Sequence, residues 1–363
     1  MFEQIKEFIN PSKNPDLTQA HEFQRKHLPT LWLLGKTGAG KSSFIQAVTG
    51  LSSVEVGNGF EPCTMTAQVY EFPQDKPVMR FLDTRGLGEA DYDPAQDLKE
   101  IGESGNAIVV VMKADEPEQS AVLGALKQVK KNKQIKHLLL IHSAVLLSDV
   151  SERERQVAFN ENQVRDVWGK DFESVCVDFE NQDGAVYHYD LMISQLINIL
   201  PVIDLMIEDK EHSTIEGENF DKMQKEVLWY AGSAAASDLI PAVGLVSVPA
   251  IQAKMLHGLA NQYGIEWNKR TFSELIGTLG SGFALQYSVK LGARQLIKLI
   301  PVYGQTVGAV AAATMSFGTT YGLGRTACYY FYHRRKGDVV SDEAMQELYK
   351  NSLKKGKAAS GYE

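Results

Sequence analysis

The chain has 363 residues, of which 44% are hydrophobic, and its formal net charge is −8. This length is sufficient for two domains with buried cores. The acidic balance excludes a general electrostatic attraction to nucleic acid, so we expect no nucleic-acid partner. The three cysteines lie far apart and show neither a disulfide framework nor a metal-ligand spacing. Such cysteine usage is typical of a reducing compartment and indicates a cytoplasmic protein.

Residues 1–29 are expected to form an N-terminal helical extension. Apolar side chains at Phe2, Ile5, Phe8 and Ile9 recur at helical spacing. This pattern fits a short amphipathic helix that either packs on a protein core or lies on a membrane surface. Because no basic region followed by an apolar run is present, we do not expect a secretory signal.

The most informative motif follows at residues 35–42, Gly-Lys-Thr-Gly-Ala-Gly-Lys-Ser, which matches the phosphate-binding pattern G-x-x-x-x-G-K-[ST]. It lies between an apolar, strand-like segment and a segment without helix breakers, as the motif requires. Glycine lets backbone N–H groups turn inward around phosphate oxygens, and the following helix N-terminus attracts the same anion. We expect Lys41 to reach the β- and γ-phosphates and the Ser42 hydroxyl to bind Mg²⁺. The residues predicted to contact the nucleotide here are Gly35, Lys36, Thr37, Gly38, Ala39, Gly40, Lys41, Ser42 and Ser43.

A second nucleotide motif, D-x-x-G, ends the next apolar strand at residues 83–86. In this pattern Asp83 supports Mg²⁺, usually through water, and the N–H of Gly86 senses the γ-phosphate. A threonine between the two motifs is expected to cap Mg²⁺ and the γ-phosphate in the triphosphate state. Thr64 is the first candidate for this position, and Thr66 is the alternative.

With these motifs the chain resembles the Era-like branch of the translation-factor-related P-loop GTPases. The resemblance rests on residues 35–42, on Pro62-Cys63-Thr64 and on the D-x-x-G element. It implies GTP as substrate, GDP as product and Mg²⁺ as cofactor, with Lys41, Thr64 and Gly86 in catalytic roles. The residue after D-x-x-G is Leu87, which cannot orient an attacking water. We therefore expect slow intrinsic hydrolysis that another residue, a cation or a partner in a homodimer of this domain accelerates.

The sequence departs from this family at the motif that recognises guanine. The strand at 137–141 is followed by His142-Ser143-Ala144-Val145, where the pattern N-K-x-D is expected. His142 and Ser143 are the candidates for contact with the base, and Asp149 is a further acidic residue downstream. The loop at 179–184, which follows the sixth strand, stands where a base-contacting Ser-Ala loop usually lies, and it does not match that pattern either. Guanine specificity is therefore implied by the resemblance alone.

Strands and helices alternate from residue 31 to about residue 201, which predicts an α/β domain with a mostly parallel six-stranded sheet and helices on both faces. Helices are predicted near 42–49, 94–103, 118–131, 152–169 and 187–199. An all-α region follows this domain. The predicted domains are the helical extension 1–29, the P-loop domain 30–205, a charged helical connector 206–227, an apolar helical domain 228–336 and a fraying polar tail 337–363.

The apolar helical domain leaves two interpretations open. No charged residue occurs from 299 to 324, a length that can span a bilayer, and two G-x-x-x-G pairs, Gly304/Gly308 and Gly318/Gly322, permit close helix packing. Tyrosines and the basic cluster 333–336 follow, as at the cytoplasmic face of a membrane. The same glycines can instead pack helices within a soluble bundle. Peripheral or inserted membrane contact and a purely soluble domain are therefore both considered.

This region resembles the small-residue-rich helical domain, of undefined function, that is attached to some bacterial Era-like GTPases. The matching features include Ile240-Pro241, Tyr263-Gly264, Ile300-Pro301 and residues 320–325. The whole sequence thus predicts a slowly GTP-hydrolysing, Mg²⁺-dependent switch whose switch loops control the helical domain. Alternatives are a nucleotide-binding module with negligible turnover, a dynamin-like membrane-remodelling GTPase and a P-loop ATPase.

Overall fold

The computed structural model describes residues 15–52, 61–62, 67–84, 105–131, 135–179, 185–207, 214–240, 244–280 and 307–361. Thr64, Thr66, Gly86 and Leu87 lie outside these residues, as does the helix predicted at 94–103. The chain divides into two compact units. We refer to residues 27–203 as the α/β unit, and to residues 1–26 together with 204–363 as the helical unit.

The α/β unit is built on a seven-stranded sheet with strand order β2-β3-β4-β1-β5-β6-β7. The strands are β1 (Thr30–Leu34), β2 (Glu61–Pro62), β3 (Ala67–Phe72), β4 (Met79–Thr84), β5 (Gly105–Lys113), β6 (His137–Ser143) and β7 (Glu173–Cys176). Strands β4, β1, β5, β6 and β7 are parallel, whereas β3 and β2 are added antiparallel at one edge. The prediction of a mostly parallel sheet is confirmed, with the two-residue β2 extending its edge.

The helices of both units are numbered together along the chain. They are α1 (Pro15–Lys26), α2 (Lys41–Thr49), α3 (Ser120–Val129), α4 (Val150–Trp168), α5 (Tyr189–Ile199), α6 (Ile215–Leu239), α7 (Gly244–Gln262), α8 (Lys269–Thr278), α9 (Val307–Lys336) and α10 (Asp342–Ala359). In the α/β unit, a buried cluster joins one sheet face to α3 and α4, with Trp32, Leu140, Leu126 and Trp168 among its members. Every residue of β1 is buried, as expected for a central parallel strand.

In the helical unit, the N-terminal α1 is held on α6 by buried polar contacts. Gln24 donates through Nε2 to the carbonyl oxygen of Trp229 at 3.2 Å, and His21 shares a 2.8 Å hydrogen bond with the Ser233 hydroxyl. The His21 ring also stacks on Trp229 at a centroid distance of 5.2 Å. The segment before the α/β unit is therefore an integral part of the helical unit.

The helix α6 occupies most of the segment that was predicted to be a solvated, charged connector. Its start is capped by Thr214, whose side chain accepts the N–H of Gly217. Glu216 is buried and forms a two-pronged ion pair with Arg325 of α9, with N–O distances of 2.6 and 2.8 Å. The structure differs from the prediction because this charge is neutralised inside the unit, and Phe220 is buried on the same helix.

Two of the glycines that suggested a membrane helix lie instead against α10 of the same unit. A Cβ added to Gly318 would come within 3.0 Å of the carbonyl oxygen of Leu353, and one on Gly322 within 3.1 Å of the Leu353 nitrogen. From the other side, a Cβ on Gly356 would lie 3.0 Å from the Cα of Gly318. The glycines thus permit close approach of α9 and α10. Among the described residues, no helix combines the length and the apolarity needed to cross a bilayer.

The segment 337–363 contains a helix, α10, where the sequence predicted a fraying tail. Ser341 caps its start by accepting the N–H of Ala344. Residues buried along one side of α10 are Met345, Ser352, Gly356 and Ala359. Residues 342–359 form a packed helix because this narrow, small-residue face lies on α9, which overall composition does not reveal.

Candidate functional site

The loop after β1 has the backbone geometry of a phosphate cradle. Gly38 and Gly40 have positive φ angles of 78° and 101°, a region that glycine adopts without the steric cost of a Cβ. At Gly35 a Cβ would lie 2.5 Å from the carbonyl oxygen of Val111, so β5 leaves room for glycine only. The loop then enters α2 at Lys41, which directs a helix N-terminus at the same place.

Lys41 lies inside this loop. Its ammonium donates to the carbonyl oxygens of Gly35 at 2.8 Å and Lys36 at 3.2 Å. The carboxylate of Asp83, near the end of β4, lies 3.8 Å from the Lys41 Nζ atom, and both side chains are largely buried. Burial lowers the pKa of Lys41, and the Asp83 carboxylate opposes that shift. Because Leu33 of β1 pairs in register with Asp83, the parallel sheet itself brings the two motifs together.

Lys36, which was predicted to contact the nucleotide, has a side chain committed to the loop after β5. Its ammonium forms ion pairs of 2.7 Å with Glu116 and with Glu118, and it also donates to the Glu118 backbone carbonyl. These hydrogen bonds raise the pKa of Lys36. We therefore expect only the backbone N–H of Lys36 to serve the phosphates. The two glutamates were missed from the sequence, although they follow a predicted strand that borders the loop.

The two residues at the end of β6 that were predicted to contact the base, His142 and Ser143, lie in different surroundings. Ser143 donates its hydroxyl proton to the carbonyl oxygen of Ala39 at 2.7 Å, which ties the strand end to the phosphate-binding loop. His142 is fully buried, and both ring nitrogens lack a hydrogen-bond partner among the described residues. Burial lowers the pKa of His142 to about 4. It shares the core face of β6 with Leu140, two residues earlier. The structure thus brings Ser143, and not His142, to the loop.

The sequence of the α/β unit is similar to a known protein family. Residues 30–143 match the family model described as 50S ribosome-binding GTPase. This part of the chain is a P-loop GTPase domain. The glycine loop, Lys41 and Asp83 described above all lie within the matched residues.

Other comparisons add little to this assignment. No curated protein matches the chain. Two similar solved structures are the bacterial selenocysteine-specific elongation factor EF-Sec (16% identity, TM-score 0.34) and the elongation factor SelB from Methanococcus maripaludis in its apo form (13% identity, TM-score 0.33). The two matches cover 51% and 47% of this chain, but only 30% and 33% of the length of the two elongation factors. Likeness at this level carries no argument about activity or partners.

The P-loop GTPase domain offers oxygen ligands suited to a magnesium ion bound with phosphate. Ser42 is exposed on the first turn of α2, and the Asp83 carboxylate lies beside Lys41. Mg²⁺ is usually held by one or two protein oxygens, by substrate phosphates and by water. Within the described residues, no cluster of three or more His, Cys, Asp or Glu side chains could hold a metal ion. The Ser42 hydroxyl and the Asp83 carboxylate are oxygen ligands of the kind that fit such an ion.

Proposed function

We propose that this protein binds GTP with Mg²⁺, hydrolyses it slowly, and uses the difference between the GTP and GDP states to control its helical unit. The observation that carries the proposal is the position of Lys41, held inside the glycine loop and 3.8 Å from Asp83. A largely buried ammonium in a loop whose glycines, Gly38 and Gly40, have positive φ angles forms a site for a polyphosphate.

Each residue of the site would have a distinct role. The N–H groups of the loop and of the first turn of α2 bind and orient the phosphates, and Lys41 neutralises their charge during transfer. Ser42, Asp83 and Thr64 would hold Mg²⁺, which supplies charge neutralisation at the phosphates when bound. Gly86 would report the γ-phosphate through its N–H. Thr64 and Gly86 enter from the sequence motifs, since both lie outside the described residues.

Slow turnover follows from the residue after the D-x-x-G motif. Leu87 carries no hydrogen-bonding group, so it cannot position the attacking water as a glutamine does in related enzymes. A second copy of the P-loop GTPase domain would supply the missing group and would thereby accelerate hydrolysis. We propose such a homodimer, tested by whether hydrolysis per molecule rises with protein concentration in the presence of GTP.

The connection between the two units supports the switch. The helical unit comprises residues on both sides of the α/β unit, so the chain passes between the units at 26–27 and again at 203–204. Ordering of residues 55–66 and 84–92 by the γ-phosphate would alter the domain between these two connections. We further propose that the protein acts in the cytoplasm and that its helical unit makes peripheral contact with the cytoplasmic face of the membrane. Flotation with anionic liposomes in each nucleotide state tests that contact.

The central experiment compares wild-type protein with Lys41→Ala and with Lys127→Ala, which removes an exposed lysine of α3. Titration with a fluorescent GTP analogue and single-turnover hydrolysis are measured with Mg²⁺ present. Loss of a charge-assisted contact is expected to weaken binding about 10- to 100-fold in Lys41→Ala and to abolish turnover. Lys127→Ala should behave as wild type. Unchanged binding and turnover in Lys41→Ala would show that the proposed function is wrong.

A further inference from the structure

A cluster of charged side chains ties the phosphate-binding loop to the segment after β5. The Lys36 ammonium lies 2.7 Å from a carboxylate oxygen of Glu116 and 2.7 Å from one of Glu118, and it also donates to the Glu118 backbone carbonyl. The Lys36 side chain is only 19% exposed. We refer to Lys36, Glu116 and Glu118 as the Lys36 clamp. The clamp joins the loop to a segment about 80 positions further along the sequence.

The two carboxylates of the clamp are themselves held in place. One oxygen of Glu118 accepts the N–H of Ser120 at 2.9 Å and also its hydroxyl, at the start of α3, while the other oxygen faces Lys36. The buried side chain of Gln119 donates to the Glu116 carbonyl at 2.9 Å. Hydrogen bonds from Lys36 and Ser120 lower the pKa of Glu118 to about 2, so its carboxylate is charged at neutral pH. The clamp therefore anchors the phosphate-binding loop to the start of α3.

The backbone of Lys36 in turn organises the loop around Lys41. Its carbonyl oxygen accepts the N–H of Ala39 at 3.2 Å and the Lys41 ammonium at 3.2 Å. Ala39 is anchored from the other side, because its carbonyl oxygen accepts the Ser143 hydroxyl at 2.7 Å. The two residues between these anchors are exposed. The tip of the loop is thus supported at both ends, by the clamp at Lys36 and by β6 at Ala39.

We propose that Glu116 and Glu118 are positioning residues for nucleotide binding, which act through Lys36 to hold the phosphate-binding loop in its binding shape before the nucleotide arrives. This inference rests on the proposed function. A loop that is already shaped loses less conformational freedom when phosphates bind, so preorganisation raises the affinity. Without the clamp only a fraction of the molecules would have a competent loop. The apparent Kd would then rise by the inverse of that fraction.

The charges of the clamp allow positioning to be separated from simple electrostatics. Carboxylates near an anion-binding loop repel a triphosphate, so their neutralisation alone would tighten binding and speed association. Loss of positioning would instead weaken binding and slow association. The double variant Glu116→Gln/Glu118→Gln therefore gives effects of opposite sign under the two explanations. In this variant the amide oxygen at residue 118 can still accept the Ser120 N–H, so the start of α3 is kept.

The test measures binding of a fluorescent GTP analogue to the full chain with Mg²⁺, by equilibrium titration and stopped flow. Glu116→Gln/Glu118→Gln should bind about 5- to 10-fold more weakly. The loss should lie in the association rate, since the phosphates hold the loop once they are bound. The KM for GTP should rise while kcat changes by less than about twofold. Lys36→Met should reproduce the loss, and Lys36→Arg, which keeps the charge, should recover most of it.

The matched control is Glu154→Gln/Asp166→Asn, which removes two exposed carboxylates of α4 with the same change in net charge and should bind as wild type. Hydrogen–deuterium exchange of the nucleotide-free protein gives a readout that needs no nucleotide. Exchange across residues 36–41 should accelerate in Glu116→Gln/Glu118→Gln but not in the control, and it should return to the wild-type level with GTP. A thermal melt verifies that each variant folds.

The outcomes separate this inference from the proposed function. If wild-type protein binds no triphosphate, the proposed function fails, whereas the exchange experiment still decides whether the clamp holds the loop. Tighter binding or faster association in Glu116→Gln/Glu118→Gln would show that the carboxylates act by repulsion alone. Unchanged binding, with or without a lower melting temperature, or unchanged exchange across residues 36–41 would also overturn the positioning role. In each of these last cases nucleotide binding itself stands.

Discussion

The contact between α9 and α10 yields a prediction whose sign can be worked out from single atoms. In Gly318→Ala the new methyl group would lie 2.7 Å from the Lys357 Cγ atom, 3.0 Å from the Leu353 carbonyl oxygen and 3.1 Å from the Lys357 nitrogen. Optimal separations between such atoms are about 3.5–4.0 Å. Two of the three neighbours are backbone atoms, so rotation of a side chain cannot relieve the overlap and the helices must separate.

The expected size follows from two opposing terms. Alanine is favoured over glycine inside a helix by about 1 kcal/mol. Overpacking of a close interface costs about 1–3 kcal/mol. Gly318→Ala should therefore destabilise the helical unit by up to about 2 kcal/mol. Gly308→Ala lies on the same helix and meets no atom within 4 Å, so it should be neutral or slightly stabilising.

Hydrogen–deuterium exchange of the full chain provides the assay, because it reports α9 and α10 separately from the P-loop GTPase domain. Gly318→Ala should accelerate exchange across Asp342–Ala359, and Gly308→Ala should not. Gly356→Ala approaches the same contact from α10, where its methyl would meet the Gly318 Cα at 3.0 Å, and should reproduce the effect. Equal protection of α10 in wild type, Gly318→Ala and Gly356→Ala would refute close packing as the reason for these glycines.

Three further changes have defined outcomes. Arg325→Met leaves the buried Glu216 carboxylate unpaired and should cost about 3–5 kcal/mol in urea unfolding, most of which the double variant with Glu216→Leu should restore. Because the folded pKa of His142, about 4, lies below its ordinary value of 6.5, the unfolded state binds more protons between these values. Stability should therefore fall by up to about 3 kcal/mol as the pH drops through this window, and His142→Gln should flatten the unfolding profile there. Asp149→Ala removes the cap of α4 and should cost about 1 kcal/mol in thermal unfolding. His142→Gln should leave that cap intact.

The α/β unit was predictable because its signals are local. Buried parallel strands are continuous apolar runs, so the strands around 30–34, 79–84 and 137–143 could be located from composition alone. The phosphate-binding loop is a contiguous motif whose glycines have a local backbone reason. Parallel pairing then brings Asp83 beside Lys41, since both follow or end neighbouring strands.

What the sequence did not reveal depends on contacts between distant residues. The pair of Glu216 and Arg325 turns an apparently solvated segment into a buried helix. The carboxylate of Asp178 reaches a segment that precedes it by 32 positions, so no linear motif records it. Pro249 lies inside α7, a position that local helix propensity disfavours. Its cost of about 3 kcal/mol is outweighed by burial of side chains such as Ile251 and Met255.

The attachment of α1 to α6 constrains how a nucleotide signal could leave the P-loop GTPase domain. Gln24 and His21 fix the segment before residue 27 to the helix that begins at residue 215. The helical unit is one compact body that comprises residues on both sides of the domain. A nucleotide-dependent change that leaves residues 27 and 203 at the same separation does no work on that body through the chain. If the signal passes through these connections, GTP must alter the positions of the segments that enter β1 and leave α5, and not only the loops beside the phosphates.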